Sequence, residues 1–428
     1  MRHKMLWAAV ALMMMTACSS GSDGLSDIDE PIVNPGNNER TPISLTRAEQ
    51  ELVTGNNDFA FNLFRIAGPR DPYNVFYFNS ELGTILSPIS ITYALGMLNN
   101  GAAGETLQQI NKVLGFNNAD EVNVFCKKML TEALHLDKLT KVQIANNIYV
   151  NKDYTLNPVF VEKANDYYNA QPETRDFADG KTRDVINQWA SDHTEKMIEE
   201  VLSEDEFNPG AVSYLLNAIY FKGTWEVQFK KEETKEEAFK TTGKKVPMMH
   251  LEHEFLYADK GDYEALQLPY GNGAYSMTIL LPKEGKTTYD IAQGLTAESW
   301  KNMWRLGGMP DEGAIVDVKL PRFETKTDVD LIETMSLLGM PNAFDSQKAE
   351  FPDFCNVPTY IGQMKQVARI NVSEEGTEAA AVTVVETLEK ACLIGPIHVD
   401  FHADHPFIYI ISEQSTGAIF FIGHYTGL

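Results

Sequence analysis

The chain has 428 residues, 43% of them hydrophobic, enough to bury a sizeable core and compatible with one large domain or two ordinary ones. Its 60 acidic against 36 basic side chains leave a formal charge of -24, which argues against a surface built to neutralise phosphates and so against nucleic acid as a partner. Of four cysteines, Cys18 lies in a processing signal; Cys126, Cys355 and Cys392 are odd in number and too widely spaced for a disulfide framework or a zinc knuckle.

At the amino terminus, Arg2, His3 and Lys4 precede an apolar stretch from Met5 to Met15 and then Thr16, Ala17 and Cys18. This is a short export signal rather than a membrane span. Small residues just before a cysteine resemble a bacterial lipobox, with Met15 standing where leucine is usual. Residues 1–18 are thus expected to be a lipoprotein-type signal peptide, with Cys18 the lipid-modified first residue of the mature chain. The acidic, Gly/Ser/Pro/Asn-rich stretch 19–45 is expected to be a flexible tether, and 46–428 a single domain. The expectation is an exported outer-membrane lipoprotein, at the cell surface or on the periplasmic face, whose only membrane contact is its lipid. An ordinary signal peptide is the alternative and predicts export equally.

Beyond the tether, Leu52, Phe59, Leu63 and Phe64 predict a helix over 47–66, ended by Gly68 and Pro69. Ser87 followed by Pro88 reads as a cap and first turn. The helix it opens, 89–99, is apolar almost all round and therefore belongs inside the core. Residues 105–114 repeat an amphipathic pattern with Gly115 as a stop. Strands are predicted over 142–150, 212–221, 266–268, 276–281, 315–320, 397–401, 407–412 and 418–423. Helices dominate the first half and strands the second without regular alternation, which favours an α+β fold.

Residues 374–390, EEGTEAAAVTVVETLEK, read as a strand held in reserve. One alternate set, Thr377, Ala379, Ala381, Thr383, Val385 and Thr387, is uncharged, while Glu378 and Glu386 fall on the other. No proline lies between Gly376 and Lys390, so every amide is free to pair, and Gly376 supplies a pivot. Three consecutive alanines are poor strand formers; small side chains suit a segment that must slide between existing strands.

Several blocks occur together in one order: SPISITYALGMLNNGAAGETLQQI from Ser87, ANNIYV from Ala145, INQWASDHTEKMI from Ile186 and LLNAIYFKGTWEVQF from Leu215. They continue with VPMM from Val246, LPRF from Leu320, EEGTEAAAVT from Glu374 and ADHPFIYII from Ala403. From Arg47 to Leu428 this set resembles the serpin family. The resemblance implies three β-sheets surrounded by eight or nine helices, with an exposed reactive-centre loop that the central sheet can accept as an extra strand. It also implies a monomeric suicide-substrate inhibitor of a serine protease, or by the same chemistry a cysteine protease. The enzyme acylates itself on the loop, and loop insertion then distorts its oxyanion hole before the ester is hydrolysed. A non-inhibitory binding protein on the same fold is the alternative.

By the same resemblance, Glu374, Glu375, Gly376, Thr377, Glu378, Ala379, Ala380 and Ala381 match the hinge of inhibitory members. Family spacing from Gly376 places the scissile bond at Lys390-Ala391, which implies trypsin-like targets. Counting back from Pro406 gives Gly395-Pro396 instead, so the loop is longer than is common; cleavage after Thr387, Glu389 or Cys392 stays open. Ser87, Ser90 and Asn217 fall in the family's polar cluster beneath the central sheet, with Gln366 where histidine is usual. Trp225 falls near the point of loop entry, where core packing is its other reading.

Other chemistry is weak. His250, His253 and Glu254 read HLEHE, which lacks the HExxH order. His398, His402 and His405 invite a metal reading, but they lie within and beside a block shared with the family, and a structural role is preferred. With no Walker loop, GxSxG elbow or dinucleotide glycine pattern, neither cofactor nor metal is expected. Cys392 reads as a solvated thiol.

Overall fold

The computed structural model describes residues 32–33, 39–69, 83–303, 314–377 and 397–428. A two-residue strand β1 (Ile32–Val33) precedes helix α1 (Arg47–Ala67), where Thr46 caps the first turn and Glu49 reciprocates in a capping box. Next come β2 (Thr84–Leu86), α2 (Pro88–Asn99), α3 (Gly104–Leu114) and α4 (Ala119–Glu132). Ser87 caps α2 with Pro88 in its first turn, and Gly115 ends α3 in the left-handed conformation, as the sequence predicts. The chain continues through β3 (Thr140–Asn151), α5 (Pro158–Tyr168), β4 (Gln171–Arg175), α6 (Lys181–His193) and β5 (Ser213–Thr224). Then follow β6 (Val227–Gln228), β7 (Lys235–Ala238), β8 (Lys245–Asp259), β9 (Tyr263–Tyr270), β10 (Tyr275–Pro282), α7 (Thr288–Gly294) and α8 (Ala297–Lys301). The last described elements are β11 (Ala314–Pro321), β12 (Phe323–Asp330), α9 (Ile332–Leu338), β13 (Lys365–Ser373), β14 (Gly376–Thr377), β15 (His398–His402), β16 (Phe407–Glu413) and β17 (Ile419–Tyr425).

Nine α-helices and three sheets among the described residues agree with the expected α+β architecture. A six-stranded sheet runs β12-β13-β14-β5-β3-β4. A nine-stranded sheet runs β15-β11-β8-β9-β10-β16-β17-β2, with β7 added on β8. Strand β8 joins its two parts, pairing first with β7 and β11 and then, from Leu256, with β9. The third sheet is the β1-β6 pair. Helix α2 packs against both β5 and β17, so it lies in the main core between the large sheets, where Ile89, Tyr93 and Met97 are fully buried. Helix α6 packs on β3 and β5 over a separate apolar cluster of Tyr149, Phe177, Ile186 and Leu202.

Part of the stretch assigned to the tether belongs to the body. Ile32 and Val33 pair with Gln228 and Val227, and Ile43 is buried with its N–H donating to Ser415 Oγ at 2.9 Å. Cys126 and Cys355 are buried free thiols. No helix among the described residues is long and apolar enough to cross a membrane.

Candidate functional site

The hinge begins where β13 ends. Gly376 pairs with Ser373 on one side and Thr224 on the other, and Thr377 pairs with Val372 and Gly223. Two residues of the reserve segment are therefore already seated between β13 and β5 as β14. Gly376 has φ +143°, and a Cβ there would lie 2.1 Å from the Gly223 carbonyl oxygen, so only glycine fits. Thr377 is 1% exposed and its hydroxyl is 2.7 Å from that of Tyr270, which puts this residue on the core side of the sheet.

Trp225 organises the entry. Its indole N–H donates to the Ser373 carbonyl at 2.9 Å, its backbone N–H donates to the Glu375 carbonyl at 3.0 Å, and its ring stacks on Tyr270 at 4.3 Å. Phe229 N–H donates to the Glu374 carbonyl at 3.0 Å. The two hinge carboxylates are held separately. Glu374, 2% exposed, accepts from Thr234 Oγ1 at 2.8 Å and lies 3.5 Å from the Arg322 guanidinium. Glu375 pairs with Lys231; burial pushes its carboxyl up, but the Lys231 ammonium and hydrogen bonds to it outweigh this and leave it lowered.

Below Thr377, β5 and β13 share no backbone pairing among the described residues, although each is paired on its outer side, to β3 and β12. A cavity of ≈ 10 Å³, about the room for one water, lies between them, lined by Ile219, Phe221, Ile370 and Thr377. Met197 and Ile198 from beyond α6 and Ile411 and Phe421 from the nine-stranded sheet add to a mostly apolar lining, which Thr194, Tyr220 and Arg369 complete. The sheet thus has a narrow apolar slot beneath the hinge.

Further down the slot stand the predicted polar residues, in two groups. Gln366 accepts from Ser87 N–H at 3.1 Å and donates to the Ser87 carbonyl at 2.9 Å, using both ends of its amide. Ser87 Oγ donates to the Phe420 carbonyl at 2.9 Å. Separately, Ser90 Oγ donates to Asn217 Oδ1, and Asn217 Nδ2 donates to Asn146 Oδ1 at 2.8 Å. One group is thus tied to β13 and the other to β5, and among the described residues no hydrogen bond joins Gln366 to Asn217 across the slot. Glu378, Ala379, Ala380, Ala381, Lys390, Ala391 and Cys18 lie outside the described residues.

Sequence reasoning missed Tyr270, Arg322, Lys231 and Thr234, which come from separate strands and turns and share no spacing with the hinge. It also missed the tie at the slot's lower end, where Glu206, beyond α6, meets Lys365 at 2.8 Å while Lys365 also reaches Asp328 at 3.0 Å. The Lys365 ammonium and the Ser203 N–H hold the Glu206 carboxyl down at about 2. A lowered carboxyl contributes stability fully above its ordinary value of 4.5, and that contribution fades as pH falls towards 2. In thermal unfolding, Glu206→Gln should melt below the unaltered protein at pH 7, and the difference should shrink steadily between pH 4.5 and 2. A difference independent of pH would contradict the ion pair.

A family profile described as "Serpin (serine protease inhibitor)" matches residues 54–427. The chain belongs to the serpins. It is 32% identical over 385 residues to Serpin B6 of Macaca fascicularis, an alignment covering 88% of this chain and 99% of that one. Leukocyte elastase inhibitor A of Rattus norvegicus is 31% identical over 386 residues, covering 87% and 98%. Among solved structures, the thermophilic serpin Tengpin in its native state superposes with a TM-score of 0.78 at 27% identity, covering 93% of this chain and all of that one. The family is one of protease inhibitors rather than enzymes, and relatives of this chain are named as inhibitors.

Proposed function

We propose that this serpin is a suicide substrate for trypsin-like serine proteases, cleaved at Lys390-Ala391. The protease serine hydroxyl attacks the Lys390 carbonyl, the amide to Ala391 breaks, and the Ala391 amine leaves with the proton, so Lys390 is held as an ester on the enzyme. The freed segment then extends β14 down the slot and carries the enzyme with it. A serpin relative named for an elastase marks how target choice differs within the family; here Lys390 points to a pocket bearing a carboxylate.

The observation that carries this reading is the register of β14. Continuing the pairing of Gly376 and Thr377 places Ala379 between Ile370 and Phe221, Ala381 between Ala368 and Ile219, and Thr383 between Gln366 and Asn217. Ala379 and Ala381 would enter the small apolar cavity, which accounts for alanines in a segment destined to be a strand. Thr383 would arrive between the two polar groups that line the lower slot, where a hydroxyl can bond either amide. About ten new strand residues, at roughly 0.5–1.5 kcal/mol net per hydrogen bond, give on the order of 10 kcal/mol, enough to deform an active site.

Incubation of the full chain with trypsin tests this. A denaturant-resistant covalent adduct, a released peptide beginning at Ala391 and loss of both in Lys390→Ala are expected. Clean cleavage with no adduct would overturn inhibition in favour of a non-inhibitory binding protein, and a peptide beginning elsewhere would move the bond. The export signal and Cys18 support the further proposal that the inhibitor is an outer-membrane lipoprotein, lipid-anchored and monomeric.

A further inference from the structure

The sequence weighs His402 with His398 and His405, its near neighbours in the chain, but the fold brings it to other partners. Strands β8, β11 and β15 lie side by side, with Asp317 opposite Glu252 and Asp400, and Lys319 opposite His250 and His402. Alternation along each strand puts all six on one face of the nine-stranded sheet. There Asp317 Oδ1 lies 2.7 Å from His250 Nε2 and 3.7 Å from His402 Nε2. One ligand atom from each of Asp317, Asp400 and His402 falls within 4.8 Å of the others. The neighbouring cation, Lys319, is engaged by Glu237 at 3.0 Å.

His402 Nε2 is the informative atom. It is shielded from solvent and has no hydrogen-bond partner among the described residues, although it faces a carboxylate. A nitrogen so placed loses its bonds to water and gains none in return. The 3.7 Å separation is too long for a hydrogen bond. Two ligands of a tetrahedral ion bound at about 2.0–2.1 Å stand roughly 3.3 Å apart, so small side-chain shifts would close this arrangement on an ion. A mixed set of imidazole and carboxylates suits Zn²⁺ and its first-row neighbours rather than Mg²⁺ or Ca²⁺, which favour oxygen alone.

We propose that Asp317, Asp400 and His402 form a binding site for a divalent transition ion, Zn²⁺ foremost, with His250 as the hydrogen-bonded partner that orients the Asp317 carboxylate. The ion would bridge β11 to β15, the strand that follows the reactive-centre loop and that pairs with β11 alone among the described strands. It would therefore clamp the far end of the loop to the sheet.

Calorimetric titration of the full chain with Zn²⁺ tests the site without reference to protease inhibition. One equivalent should bind saturably, at least tenfold more weakly in Asp400→Asn and His402→Ala, and unchanged in His135→Gln, an exposed histidine elsewhere. Asp400 is exposed, so its variant keeps the fold intact. Co²⁺ should give visible absorption bands in the unaltered protein that both site variants lose. Absence of saturable binding, binding that survives both site variants, or equal weakening in His135→Gln would each overturn the proposal.

Discussion

Gly376→Val should turn the inhibitor into a substrate, cutting covalent adduct per cleavage event at least tenfold while leaving the rate of cleavage by trypsin nearly unchanged. The reason is steric and local. A Cβ on residue 376 would meet the Gly223 carbonyl oxygen at 2.1 Å and Thr224 Cα at 2.8 Å, both backbone atoms of β5 that cannot swing away. Backbone at φ +143° is open to glycine and strained for a branched residue. Valine must therefore push β14 out of the sheet or force β5 aside, and Thr377 loses its place against Tyr270. Insertion would then lack its starting point, and hydrolysis of the ester would win the race. Gel quantification of adduct against cleaved chain reads the outcome, and an unchanged adduct fraction would contradict the seated hinge as the start of insertion.

Ala381→Arg should have a comparable effect through a different step. The β14 register directs residue 381 between Ala368, which is 4% exposed, and Ile219, on the same side as Thr377. The cavity waiting there is ≈ 10 Å³ and mostly apolar, with Arg369 already a cation on its wall. An unpaired guanidinium in such a place costs several kcal/mol, of order a hundredfold or more in the partition between insertion and hydrolysis. Association with trypsin should be unaffected, because residue 381 lies nine positions before the proposed scissile residue Lys390 in the chain. Adduct formation equal to that of the unaltered chain would show that residue 381 does not enter the slot.

Much of this was legible in the residues, for stated reasons. Helix α2 announced itself by Ser87, Pro88 and an apolar surface all round, and β16 and β17 by unbroken apolar runs. The hinge was legible because alternation over 377–387 keeps one set of positions uncharged while Glu378 and Glu386 fall on the other. Strand β8 was not, although it is the longest of the described strands, because Pro247 stands near its start and His250, Glu252 and Glu254 mark a face open to solvent. Gly376 was read as a pivot; its φ and its pairing show that it also opens a strand already in place. The ion pairs of Glu374 with Arg322 and of Glu375 with Lys231 had no signal, since each joins segments far apart in the chain. Likewise His402 met Asp317 only through the parallel register of β15 on β11.

The central claim is that cleavage lets the segment after Thr377 complete the six-stranded sheet. Thermal unfolding of the intact chain beside the same chain nicked once within residues 378–396 tests it most directly. An added strand worth on the order of 10 kcal/mol should raise the midpoint by roughly 12 °C. Coincident midpoints for nicked and intact protein would contradict insertion.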